Sequence, residues 1–203
     1  MTSDRFPHMI RGPRTCSSGV LHAAPLLLGL LFILSSCARP PYSTESLSTG
    51  PLLTSRDGRL RYGVPTGWFD ATSHAKSSRS AVWLVRNDYR ASIAVNTIDI
   101  DEETRREVKR NGLLRVGQLS MQLNTNVRSA VIVQPPKVDR TNGREYCVYE
   151  IDEPATRDRI RVALVDTGDS VYEVTALQTG GDRPGTSQEV FSVQDLFLAR
   201  LKW

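Results

Sequence analysis

The residues of this sequence that are best suited to chemistry are Leu34-Ser35-Ser36-Cys37, at the end of an apolar run. A cysteine thiol is an effective nucleophile, so Cys37 can accept a covalent group on its sulfur. The two serines before it are small residues of the kind that a signal peptidase accepts next to its cleavage site. These residues are therefore candidates for a cleavage between Ser36 and Cys37 and for covalent chemistry at the Cys37 thiol.

The segment in front of this motif has the three parts of a secretory signal. Three arginines make its beginning basic, and residues 23–34 form an apolar centre. This centre is too short to span a membrane, for which roughly 20 residues are needed. Residues 1–36 are therefore predicted to be a signal peptide that is removed. Met9 is a second candidate for the start of translation, and the sequence leaves this choice open.

The motif that ends at Cys37 resembles the lipobox of bacterial lipoproteins. The resemblance implies a diacylglyceryl thioether on Cys37 and an acyl chain, such as palmitate, on its new amino group, with no other cofactor. Several acyl chains on one residue suffice for stable membrane attachment. Ala38 resembles the outer-membrane pattern, so we expect a lipid anchor in the outer membrane of the cell envelope, facing the periplasm. The alternative is a cysteine that follows an ordinary secretory signal by chance.

Composition limits the classes of partner for the rest of the chain. The 203 residues carry a formal net charge of +4, and the leader accounts for about half of it. The remaining charges of both signs are interspersed, which predicts no binding of nucleic acid. Residues 37–57 are rich in Ser, Thr and Pro and are predicted to form a flexible tether behind the lipidated cysteine. Residues 58–203 are predicted to form one domain.

Other reactive residues of the mature chain lack the partners that catalysis or metal binding requires. Cys147 lies in a strand pattern and is predicted to be a small core residue. His74 is the single histidine after the leader, and it lies in a polar loop. Asp101 and the acidic residues after it are predicted to cap a helix rather than bind calcium. The sequence therefore predicts a protein that is not an enzyme and holds no metal.

Arg157, Arg159 and Arg161 alternate along a predicted strand. They are a candidate partner surface, and a plain solvated sheet face is the alternative. Among the large aromatic residues, Trp68 and Trp83 are predicted to pack in the core. Trp203 is predicted to pack against the closing helix, with contact at the membrane interface as the alternative.

Periodicity along the chain predicts the order β, ββ, α, ββββ, α. Short turns between consecutive strands imply an antiparallel sheet, so the fold class is α+β, with about six to seven strands flanked by two helices. The first helix is expected to bury one apolar stripe on the sheet, made of Val108, Leu113, Val116, Leu119 and Leu123. Gly112 and Gly117 weaken this helix, so a kink or two shorter helices are expected there. The predicted strands cover residues 60–64, 80–86, 91–99, 127–134, 144–152, 159–167 and 170–177, and the helices cover 101–123 and 187–202.

Three local patterns, Tyr62-Gly63-Val64-Pro65-Thr66-Gly67-Trp68, Ala91-Ser92-Ile93-Ala94-Val95 and Val171-Tyr172-Glu173-Val174-Thr175-Ala176, resemble the PsbP-like superfamily. This superfamily includes the extrinsic photosystem protein, the Ran-binding Mog proteins and DcrB-type envelope proteins. The resemblance implies an α/β/α sandwich over about residues 58–202, and a binding or assembly role without catalysis.

The hypothesis from sequence is a membrane-anchored envelope lipoprotein that binds or assembles a protein partner. The first alternative is a carrier of a lipid or a small apolar ligand between sheet and helices. A hydrolase of unrecognised type is the second.

Overall fold

Apolar residues that recur at every second position build a seven-stranded antiparallel sheet. The computed structural model describes residues 51–180 and 186–203. The elements are β1 (Leu53–Thr54), β2 (Arg61–Tyr62), β3 (Trp68–Asp70), β4 (Ser80–Arg86), β5 (Ala91–Ile98), α1 (Glu102–Asn111), α2 (Leu114–Arg128), β6 (Val131–Thr141), β7 (Arg144–Glu153), β8 (Asp158–Asp166), β9 (Val171–Gln178) and α3 (Thr186–Arg200). The strand order in the sheet is β3-β4-β5-β9-β8-β7-β6, and β1 and β2 pair separately. The α+β class is confirmed, and the described residues form three α-helices where two were predicted.

The predicted long helix is two helices, α1 and α2. Asp101 caps α1, because its carboxylate accepts a hydrogen bond from the Thr104 backbone N–H at 2.7 Å. Helix α1 ends at Asn111 and is followed by Gly112, whose φ of +74° is accessible to glycine at little cost. Helix α2 begins two residues later. The capping role of Asp101 and the interruption at Gly112 are both confirmed.

The strand predicted over residues 127–134 exists, but its bounds are wrong. Helix α2 continues to Arg128, and β6 begins at Val131 and runs through Pro135 and Pro136 to Thr141. Pro135 and Pro136 favour a strand end at residue 134, because proline cannot donate a hydrogen bond to the neighbouring strand. However, β6 is the last strand of the sheet and pairs with β7, with register shifts around the prolines. An edge strand tolerates missing N–H donors on its open side.

Alternation along β7 divides the core into two layers on opposite faces of the sheet. Tyr146 and Val148 point into one hydrophobic cluster, which also holds the buried residues of α3. Cys147, Tyr149 and Ile151 point into the other, with the buried residues of α1 and α2. The architecture is therefore an α/β/α sandwich. Both helix–sheet interfaces hold buried side chains, which occupy the position where the carrier hypothesis placed an internal ligand.

Helix α2 lies directly on β7 at Gly117. A Cβ built on Gly117 would overlap the Sγ of Cys147 and would lie 3.4 Å from the Cβ of Pro136. Cys147 itself is fully buried. A glycine is therefore required here by the distance between helix and strand, not by the backbone conformation.

The folded part of the chain extends to the N-terminal side of the predicted boundary at residue 58. Strand β1 pairs with β2, and the Ser55 side chain is buried. Asp57 accepts hydrogen bonds from the Ser55 hydroxyl and, at 2.7 Å, from the Tyr172 hydroxyl of β9. These contacts place residues 53–57, which were assigned to the tether, against the sheet.

Two carboxylates in this region are expected to make the fold sensitive to acid. Burial opposes ionisation of Asp57 and Asp70, but hydrogen bonds outweigh it and hold both pKa values below the usual value of 3.8. Asp70 accepts from the Tyr62 hydroxyl at 2.7 Å and from the Thr72 N–H at 2.8 Å. Because the folded pKa lies below the unfolded one, this stabilisation is complete above about pH 4 and is lost as the pH falls through the folded value.

Urea unfolding of wild type and Asp70→Asn at pH 7 and pH 3 measures this effect. We expect Asp70→Asn to be the less stable protein at pH 7, and the difference to shrink at pH 3. Asp169→Asn, which removes an exposed carboxylate in a turn, is the control. A difference that is the same at both pH values would contradict the assignment.

Candidate functional site

The candidate site is a groove on the half of the sheet that lies beside helix α2. Helix α2 packs on β6 and β7, and α3 packs on the opposite face of the sheet. On the α2 side, β4 and β5 contribute half-buried residues to the floor of a groove of about 720 Å³. One wall is formed by Leu123 of α2, and the other by residues 75–79.

Strand register gives the layout of the groove floor. Trp83 of β4 lies beside Ala94 of β5, and Ala94 lies beside Thr175 of β9. In the next row, Asn96 lies beside Glu173. Side chains two residues apart on a strand share a face, so Glu173 and Thr175 point to the same side. The floor thus combines the Trp83 indole ring, the small side chain of Ala94, the Asn96 amide and the Glu173 carboxylate.

Glu173 is held by neutral hydrogen-bonding groups from α2 and its own strand. It accepts from the Ser120 hydroxyl at 2.8 Å, from the Asn124 amide at 3.4 Å and from the Thr175 hydroxyl at 3.2 Å. Tyr149 joins the cluster through Ser120 at 2.8 Å and Asn124 at 2.7 Å. Burial, and then the charge of Glu173, raise the pKa of Tyr149, so its hydroxyl stays protonated at neutral pH. The cluster fixes the Glu173 carboxylate at the groove floor.

The outer wall and end of the groove carry charged residues. Arg79 forms an ion pair with Asp99 at 3.0 Å, and both side chains are mostly exposed. Lys76 also lies on this wall and is exposed. An exposed pair of this kind contributes little to stability. These charges form a polar rim beside the half-buried floor.

The inner wall continues as an exposed apolar stripe along α2. The stripe consists of Leu119, Leu123 and Val127, which are 40%, 67% and 83% exposed. Leu119 and Leu123 were predicted to lie on the buried face, and this is wrong. The face that packs on the sheet carries Val116, Gly117 and Ser120 instead. A run of exposed apolar residues beside a groove is typical of an interaction surface.

The three arginines of the predicted partner surface do not form one solvated face. Arg157 lies in the β7–β8 turn with φ of +60°. Arg159 lies within 3.5 Å of Glu150 and 3.6 Å of Asp152.

Arg161 is 11% exposed, because α3 covers it. Its guanidinium bonds to Asp195 at 2.8 Å and to the Phe191 carbonyl at 3.2 Å. Arg161 therefore fastens α3 to the sheet.

Cys147 and His74 lie where the sequence placed them. Cys147 is fully buried, and this burial raises the pKa of its thiol to about 11, so the sulfur is protonated at neutral pH. His74 is exposed in a single helical turn, Thr72–His74. Within residues 51–180 and 186–203, no three potential metal-binding side chains come together.

The tryptophans have three different environments. Trp68 is buried in the α3-side cluster, which confirms its predicted packing. Trp83 was predicted to lie in the core but is half-buried at the groove floor. Trp203 is 44% exposed, and the Arg144 guanidinium lies 4.1 Å from its ring centre.

The predictions for the leader, from Leu34 to Cys37 and Ala38, fall outside the described residues. In the part of the chain that is described, no helix is long and apolar enough to cross a membrane. The signal peptide, the lipid and the choice of membrane stay predictions.

Neither a protein-family model nor a curated protein sequence matches this chain. Solved structures do. The Ran-binding protein Mog1p of Saccharomyces cerevisiae superposes with a TM-score of 0.57 at 13% identity, covering 77% of this chain and 96% of Mog1p. The chain has a Mog1-like fold.

Two further structures overlap with the Mog1-like fold more loosely. The cyanobacterial PsbP protein CyanoP of Synechocystis gives a TM-score of 0.49 at 15% identity, covering 84% of this chain and 98% of CyanoP. LpqN of Mycobacterium tuberculosis, described as involved in cell envelope biogenesis, gives 0.47 at 12% identity, covering 75% and 88%. The similarity in fold is to Mog1p, because the TM-scores of CyanoP and LpqN lie below 0.5. At 13% identity it concerns the fold alone.

Proposed function

We propose that this protein is a non-enzymatic lipoprotein of the bacterial cell envelope that binds a protein partner. The anchor is the lipidated Cys37, in the outer membrane by the pattern at Ala38, and the partner binds in the groove beside α2. The observation that carries the binding role is the exposed stripe of Leu119, Leu123 and Val127 beside a half-buried groove floor. Covering exposed apolar groups with a partner removes them from water, which lowers the free energy of the complex.

Two further observations support a binding role. The thiol of Cys147 is buried and protonated, so it is not available as a nucleophile. The fold is shared with Mog1p, which is described as a Ran-binding protein. The anchor rests on the lipobox resemblance, and with lipid supplying the attachment, the stripe on α2 is free to serve a partner.

Photocrosslinking in cells tests the partner. A photoreactive residue at Leu123 is expected to form one predominant protein adduct, identified by mass spectrometry. The matched control is the same residue at Val138, which is also an exposed apolar position but lies on β6. Filling the groove with Ala94→Trp should abolish the Leu123 adduct while thermal unfolding shows that the domain stays folded.

Other outcomes of this experiment contradict the proposal. Lipid adducts from Leu123 in place of protein adducts would indicate that the groove holds a lipid and not a segment of a protein. Absence of protein adducts from Leu123, Val138 and a set of further surface positions would argue against any stable protein partner.

A further inference from the structure

We infer that the groove receives an amphipathic α-helix of the partner protein, and that this helix brings a lysine or arginine to Glu173. This inference rests on the proposed function and specifies the chemistry of its site. It follows from the width of the floor, the direction of the α2 stripe and the charge fixed at the floor.

The width of the floor fits one helix. The floor is built from β4, β5 and β9, which are neighbours in the sheet. Strands lie about 4.8 Å apart, so the axes of the outer two are about 10 Å apart. An α-helix with its side chains is about 10–12 Å wide. A single helix beside α2 would therefore cover β4, β5 and β9, as α2 covers β6 and β7.

An extended peptide has less to gain in the same place. Strand β5 is hydrogen-bonded to β4 on one side and to β9 on the other. The floor therefore offers the face of the sheet and not an edge, so a peptide strand cannot add main-chain hydrogen bonds there. A helix satisfies its own backbone groups and needs only side-chain contacts from the groove.

The apolar stripe supplies a wall along which such a helix can pack. Leu119 and Val127 are eight residues apart on α2, a distance of about 12 Å along the helix axis. This is a little more than two helical turns, the length over which a partner helix presents several residues of its apolar face. The small side chain of Ala94 on the floor allows the partner backbone to come close to the sheet.

The charge of Glu173 determines what the helix must carry. In the described part of the chain, this carboxylate accepts hydrogen bonds from the neutral side chains of Ser120, Asn124 and Thr175. A purely apolar helix would cover the carboxylate without a counter-charge, and burying an unpaired charge is costly. A lysine or arginine reaching the floor supplies that counter-charge. An acidic residue on the apolar face of the helix is excluded by repulsion.

The crosslinking experiment on the full-length chain in cells also identifies the bound segment. Digestion of the Leu123 adduct is expected to map to one segment of the partner with apolar residues at helical spacing and a lysine or arginine among them. This segment, synthesised as a peptide, is the probe for binding to the full-length chain purified in detergent, followed by the change in tryptophan fluorescence.

The charge pair is tested by a double-mutant cycle. Glu173→Gln is expected to weaken peptide binding about ten-fold, with most of the change in the dissociation rate. Replacing the basic residue of the peptide by glutamine should weaken binding similarly, and the two changes together should cost no more than either alone. Glu102→Gln, on the exposed start of α1, is the matched control and should leave binding unchanged.

Several outcomes overturn the inference while the proposed function stands. These are a mapped segment without helical periodicity, a segment whose apolar face has no basic residue, or additive effects of the two substitutions. Absence of any protein adduct anywhere on the domain would instead overturn the proposed function, and this inference with it.

Discussion

Replacing Gly117 with alanine is expected to lower the free energy of unfolding by about 2 kcal/mol or more, since overpacking a close contact typically costs 1–3 kcal/mol. The new Cβ would overlap the Sγ of Cys147, so α2 would have to move away from β7 or the thiol would have to leave its position. In an exposed helix the same change is stabilising by up to about 1 kcal/mol. The contact on β7 therefore reverses the expected sign. Urea unfolding followed by circular dichroism measures the effect.

A second substitution separates this clash from other effects at the same position. Cys147→Ala removes the overlapping sulfur and by itself should cost about 1 kcal/mol of lost burial. In that background, Gly117→Ala should be neutral or stabilising, because the nearest remaining atoms are in ordinary contact. Gln118→Ala, at the next position of α2, is the control and should change stability by less than about 0.5 kcal/mol. If Gly117→Ala lowers the free energy of unfolding by the same amount in the Cys147→Ala background, the overlap with Sγ is not the cause.

Replacing Cys37 with serine is expected to abolish fatty acylation of the chain. A serine hydroxyl is a much weaker nucleophile than a thiolate, so no thioether can form. Metabolic labelling with an alkyne analogue of palmitate should mark the wild type and not Cys37→Ser, and intact mass spectrometry should show acyl chains on a wild-type chain that begins at Cys37. Cys16→Ser, in the predicted leader, should be labelled like wild type. Equal labelling of Cys37→Ser would contradict the lipobox prediction.

Membrane attachment is expected to depend on this lipid alone. Each buried methylene contributes about 0.8 kcal/mol, so two or more acyl chains hold the chain firmly. A chain in which residues 1–37 are exchanged for a cleavable secretory signal without a cysteine should be released with the soluble proteins of the envelope. If it stays with the membrane fraction, the domain itself binds the membrane, and the stripe on α2 would be the first surface to examine.

The fold was predictable from sequence where side-chain periodicity reports burial. The apolar alternation in β7 and β8 gave two strands within a residue or two of their bounds, and Asp101 located the start of α1. Periodicity failed at Pro135 and Pro136, because proline is consistent both with a strand end and with an edge strand. The position of a strand within a sheet is a property of the whole fold that the local sequence does not carry.

The groove was harder to predict, although part of its signal was present. In β9, Glu173 and Thr175 alternate with buried apolar residues, which indicates that one face of this strand is only partly covered. Trp83 gave no such signal, because its strand is apolar on both faces. On α2 the leucines were assigned to the core because they are apolar, whereas Gly117 and Ser120 occupy the contact with the sheet. A helix that approaches through small residues exposes larger ones on its flank.

The edge strand β6 also bears on how copies of this chain behave when they crowd together. An unpaired strand at the margin of a sheet is a template onto which another molecule can add its own strand, and such additions propagate into aggregates. Here Pro135 and Pro136 remove two main-chain donors, and the charged side chains of Lys137, Asp139 and Arg140 follow them. A second copy meeting this margin would find an interrupted and charged ladder. Copies of this chain are thus expected not to pair through β6, even at high local density.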